Sequence, residues 1–100
     1  MLKTDIQLNK EQISIVKLVL LKNFGDTDFW IYGSRAKGNA KKNSDVDIII
    51  KGKKSFTMFD IGRAKADLAE SDLPYLIDII DWHSVNEGFL EIIKPDLIKI

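Results

Sequence analysis

The feature that most constrains this chain is Asp45-Val46-Asp47 running straight into Ile48-Ile49-Ile50. A run so rich in β-branched residues favours a strand. Side chains alternate between the two faces of a strand, so Asp45 and Asp47 point to one side. Val46 and Ile48 point to the other, into a core. Two neighbouring carboxylates repel each other unless one is protonated or a cation lies between them. An isolated Asp-x-Asp can be no more than a solvated strand edge. The surroundings of the pair therefore decide its meaning.

Upstream, Phe29-Trp30-Ile31-Tyr32 reads as a short aromatic strand that ends directly at Gly33-Ser34. Gly33 has no Cβ and permits close approach to its backbone. The amides after Ser34 can open a helical turn and bind phosphate oxygens, with the Ser34 hydroxyl as a further donor. Residues 33–44 read as a polar, basic loop returning to Asp45. Between Gly33 and Lys54 seven basic residues stand against two acids, whereas residues 55–100 carry four basic and nine acidic ones. This distribution suits an anionic ligand near the two acids with a cation between. Hard oxygen ligands of this kind suit Mg²⁺, which takes one or two carboxylates and completes its shell with phosphates and water. The loop is neither a G-x-x-x-x-G-K-[ST] loop nor a dinucleotide fingerprint.

The remaining elements are helices alternating with strands. Residues 9–23 read as a helix, with Asn9 and Gln12 forming a capping box, Ile13, Val16, Leu20 and Phe24 at helical spacing, and Gly25 as the stop. Residues 56–70 read as a second helix with Phe59, Ala66 and Ala69 near one face. Met58 and Phe59 are expected to pack on that face. Residues 75–82 form a third strand. Residues 84–93 form a short helix with Ser84 as cap and Glu87 completing the box, and residues 97–100 a last edge strand. The expected fold is α/β: a small mixed β-sheet flanked by helices, in one domain spanning residues 1–100.

Composition removes several function classes. The chain has no Cys and a single His, so thiolate zinc sites, cysteine nucleophiles and histidine metal sites are excluded, and a Ser-His-Asp enzyme is a poor fit. His83 is expected at the surface or in a cap. The formal net charge is +0 at pH 7, which disfavours a globally basic nucleic-acid binder. No apolar stretch approaches the roughly 20 residues needed to span a bilayer, and no signal peptide is visible, so a cytoplasmic location and no membrane partner are expected.

Gly33-Ser34, ten residues, then Asp45-Val46-Asp47 in a strand resembles the signature of the nucleotidyltransferase superfamily that includes DNA polymerase β. The fuller run GSRAKGNAKKNSDVDIII and the segment SDLPYLIDIIDW are similar to the minimal nucleotidyltransferases, the MNT proteins, over nearly the whole chain. The resemblance implies a third acid on the third strand. Asp78 matches it best, with Asp81 as the alternative. It further implies Mg²⁺ or Mn²⁺ held by Asp45, Asp47 and Asp78, with a nucleoside triphosphate, ATP, as substrate. Gly33 and Ser34 would bind its β- and γ-phosphates, with Arg35, Lys37 and Lys42 as candidate charge stabilisers. Asp78 would complete the second metal site and help deprotonate the attacking hydroxyl.

In this family the usual partner is a HEPN-domain protein, a helical toxin-like RNase, whose tyrosine hydroxyl can accept AMP. The implied function is metal-dependent transfer of AMP to such a partner in an antitoxin role. The alternative is a non-catalytic module that neutralises the partner by occlusion. Trp30, Phe56, Phe59 and Trp82 cannot all be assumed to lie in so small a core, which points to an association surface, with the partner or as a homo-oligomer.

Overall fold

A computed structural model describes residues 8–33, 45–73 and 75–100. Helix α1 (Lys10–Phe24) is followed by strands β1 (Asp28–Tyr32) and β2 (Val46–Lys51), then helix α2 (Met58–Ala69) and strand β3 (Ile77–Asp81). Helix α3 (Glu87–Ile93), a 3-10 turn (Lys94–Asp96) and the short strand β4 (Ile98–Lys99) complete the chain. The expected mixed α/β architecture is what the chain adopts.

The sheet order is β3-β2-β1-β4. Strands β1 and β2 are antiparallel with Tyr32 opposite Asp47, and β4 pairs antiparallel on the other side of β1. Strands β2 and β3 are parallel, with Asp47 opposite Asp78 and Ile50 opposite Asp81. A parallel pair needs a crossover rather than a hairpin. Helix α2 supplies it.

Strand alternation sends residues to two different cores. Phe29, Ile31, Val46, Ile48, Ile50 and Ile79 pack with Val16, Leu20 and Phe24 of α1 and Ala64 and Leu68 of α2. Tyr32 and Ile49 pack with Leu90 and Ile93 of α3, joined by the half-buried Trp30, Ile80 and Trp82. Asp47 and Asp78 belong to this second face by their register with Tyr32.

Helix α1 begins as expected: the Asn9 side chain accepts from Gln12 N at 2.8 Å, and Gln12 Oε1 accepts from Asn9 N at 3.1 Å. Helix α2 starts two residues later than expected. Thr57 and Asp60 form their own reciprocal capping box there. Phe56, left outside the helix, packs its ring on Phe24 at a centroid distance of 4.8 Å. The apolar face of α2 also differs. Ala64 and Leu68 are buried, whereas Met58 and Phe59 are 91% and 74% exposed. Ile61, Ala64 and Leu68 are spaced by three and four residues and turn the other side of the helix outward.

Strand β3 is shorter than residues 75–82, and α3 begins at Glu87 rather than near Ser84. The cap is Asn86, whose side chain accepts from Phe89 N at 2.8 Å. Ser84 lies in the turn before it, donating its N–H to Asp81 O at 3.0 Å. None of the described helices is long and apolar enough to cross a membrane.

Candidate active site

Three acids come to one end of the sheet. Asp45 lies immediately before β2, Asp47 is its second residue, and Asp78 is the second residue of β3. Asp47 and Asp78 are paired in the parallel register, so their side chains emerge side by side on the α3 face. Burial, then the charge of Asp78, then that of Asp45 raise the Asp47 carboxyl above its ordinary value. The electrostatic signature of crowded carboxylates is thus present, and Asp47 is its centre.

Tyr32, on β1 opposite Asp47 of β2, is pushed up to about 12 by burial and by the charges of Asp47 and Asp78. It stays a neutral phenol and packs edge-on against Phe89 with centroids 6.0 Å apart. Gly33 follows with φ +77°. A Cβ built there would sit 2.7 Å from Asp47 Oδ2. The space opened by the missing side chain is therefore taken by the Asp47 carboxylate. That positive φ and that contact together require glycine.

Asp78 and Asp81 have separate surroundings. Asp78 is exposed and meets the Lys65 ammonium, Nζ to Oδ1 2.9 Å. Asp81 lies at the opposite end of β3 and is 2% exposed. Its Oδ2 accepts from Phe56 N and its Oδ1 from His83 N. Those bonds tie the chain entering α2 to the turn after β3. His83 is exposed, as expected, and Nε2 donates to Gly52 O at 2.8 Å.

Ser34, Arg35, Lys37 and Lys42 lie outside the described residues. Lys51, Lys53 and Lys54, three members of the basic stretch, lie at or beyond the far end of β2 from Asp45 and Asp47. Lys51 rests over the Trp82 ring at 4.6 Å. Lys53 and Lys54 border a groove of about 410 Å³ with Phe24, Asp26 and Asp60, at the end of the sheet away from the acids. These three lysines thus lie the length of a strand away from the two acids.

Among the described residues, no group of three or more Asp, Glu, His or Cys side chains is placed to hold a metal ion together. A pair of crowded carboxylates nevertheless fits a divalent cation that takes most of its shell from phosphate and water. The pairing of Asp47 with Asp78 across β2 and β3 is the observation behind that fit.

This fold is shared with solved structures of toxin–antitoxin pairs. A crystal structure of a toxin–antitoxin with AMP-PNP superposes with a TM-score of 0.77 at 22% identity, covering 92% of this chain and 72% of that one. The MNT antitoxin in complex with a tri-AMPylated HEPN toxin from Shewanella oneidensis gives 0.67 at 18% identity, over 88% of this chain and 66% of that one. The chain belongs to the polymerase beta nucleotidyltransferase family, whose model matches residues 17–98. It is 38% identical over 96 residues to the probable protein adenylyltransferase MntA of Haemophilus influenzae, covering 96% of this chain and 84% of that protein.

Proposed function

We propose that this chain transfers AMP from ATP to a hydroxyl on a HEPN-type partner protein and releases pyrophosphate, in the role of an antitoxin. The observation that carries the reading is the placement of Asp47 beside Asp78 and over Gly33, at one end and on one face of the sheet. The adenylyltransferase relative and the AMPylated toxin complex support the choice of AMP and of a protein acceptor.

Asp45 and Asp47 hold Mg²⁺ or Mn²⁺, and Asp78 completes the acidic set. When bound, the ions neutralise the triphosphate and stabilise charge on the entering and leaving oxygens. Gly33 and Ser34 take the two terminal phosphates, and Arg35, Lys37 and Lys42 add positive charge along them. The acceptor hydroxyl then meets the α-phosphorus. Its oxygen forms the new P–O bond as the bond to pyrophosphate breaks, and Asp78 helps remove its proton. Tyr32, held neutral, adds no further negative charge beside the acids. A cytoplasmic location fits an ATP-dependent reaction on such a partner.

Release of pyrophosphate from ATP, measured with the HEPN-type partner and Mg²⁺, tests the reading. It is expected from the native chain and is lost in the Asp45→Asn/Asp47→Asn variant. Release unchanged by that substitution contradicts the assignment.

A further inference from the structure

The Lys65–Asp78 ion pair is not used by the mechanism above. Lys65 Nζ lies 2.9 Å from Asp78 Oδ1, with side-chain exposures of 42% and 52%. Lys65 follows Ala64 on α2, and Ala64 and Leu68 pack on the face of the sheet opposite Asp78. β3 is the outer strand on that side. The ammonium therefore reaches Asp78 around the open edge of β3. Among the described residues, neither Asp45 nor Asp47 has a cationic partner; Asp78 has Lys65. Its second oxygen makes no hydrogen bond or ion pair with a described residue.

A half-exposed Asp on an edge strand has several rotamers open to it. A lysine fixing one carboxylate oxygen restricts that freedom and leaves the other oxygen available. It also places one positive charge against a cluster of three negative ones. We propose that Lys65 is a positioning residue for nucleotidyl transfer: it holds the Asp78 carboxylate beside Asp47 and moderates the affinity of the acidic set for divalent cations. The role in transfer rests on the reading of this site as a nucleotidyltransferase centre.

The two effects have opposite signs when the charge is removed. Lys65→Met leaves the acids more negative, so a divalent cation binds more tightly. It also leaves Asp78 unfixed, so transfer slows. The experiment titrates Mn²⁺ into the full-length chain by electron paramagnetic resonance, with an ATP analogue carrying a methylene bridge between the α- and β-phosphorus. Pyrophosphate release from ATP with the HEPN-type partner is measured beside it.

Lys65→Met is expected to tighten Mn²⁺ about three- to tenfold, a modest change because the pair is half in solvent. Turnover at saturating metal is expected to fall about tenfold or more, since small misplacements of a reacting group are costly. The KM for ATP changes little, and Lys65→Arg restores both quantities towards the native values. Lys65→Gln gives the same result without introducing an apolar side chain.

Unchanged Mn²⁺ affinity and turnover, with only a lowered melting temperature, would make the pair a plain tie between helix and strand and overturn the proposal. Weakened Mn²⁺ binding would overturn it as well. A native chain that releases no pyrophosphate would defeat the functional reading, and the Mn²⁺ titration would then decide the charge-moderating role of Lys65 by itself.

Discussion

At the scale of single residues, burial and the charges of Asp78 and Asp45 act together on Asp47. Its carboxyl is raised above the ordinary 3.8. The folded state thus keeps this proton at a pH where the unfolded chain has lost it. The stability this group contributes is present below the unfolded value and is lost as pH rises through the folded one. At neutral pH, ionised Asp47 opposes folding of the ligand-free protein. Asp47→Asn should therefore raise the melting temperature at about pH 7, with the gain shrinking towards about pH 4. A thermal scan at both values checks this, and a lowered melting temperature at neutral pH contradicts it. Gly33 lies against the same carboxylate. Gly33→Ala forces a side chain into a left-handed conformation against Asp47 Oδ2. A loss of about 1–3 kcal/mol is expected, readable by denaturant unfolding, together with a marked fall in AMP transfer because the Asp47 carboxylate must move. Native stability in that variant would mean that the contact is easily relieved.

At the scale of elements, the two ends of β3 have different tasks. Asp81 accepts two backbone N–H bonds while buried, so Asp81→Ala should destabilise the fold by about 2–4 kcal/mol. Asp78 sits in a half-exposed ion pair, so Asp78→Asn should change stability by no more than about 1 kcal/mol while abolishing transfer. Paired unfolding and activity measurements on the two variants separate these tasks. The reverse pattern would exchange the assignments. The sequence left the choice between Asp78 and Asp81 open because Ile77-Asp78-Ile79 and Ile80-Asp81-Trp82 look alike along the chain. What separates them is register against β2 and contact with Phe56 N, both long-range. The strands and the α1 cap were legible because a β-branched run and an Asn-x-x-Gln box are local signals. Asn86 was missed because Ser84 and Glu87 offer a competing box three residues apart, and the turn anchored on Asp81 displaces the helix start. The outward face of Phe59 has a similar origin: Ile61, Ala64 and Leu68 form a stripe on a different side of α2 from Phe59, Ala66 and Ala69. Lys65 had no local signal, since its partner is 13 residues away on another element.

At the scale of the whole molecule, the acids, the glycine turn and the two cores belong to one arrangement with a Cα radius of gyration of 12.9 Å. Leu18 and Leu21 on α1, Met58 and Phe59 on α2, Leu76 before β3, and Phe89 and Ile92 on α3 leave apolar side chains in solvent. Surface of that kind suits association with another protein, in keeping with an acceptor carried on a partner. The chain belongs to a nucleotidyltransferase family, and in the proposed reaction pyrophosphate leaves and AMP stays on the acceptor, unlike a kinase. The most direct test is intact-mass spectrometry of the HEPN-type partner after incubation with this chain, ATP and Mg²⁺. The account predicts an adduct of AMP mass on the partner, absent with the Asp45→Asn/Asp47→Asn variant. An adduct of phosphate mass, or an unmodified partner under conditions where ATP binds, would contradict it.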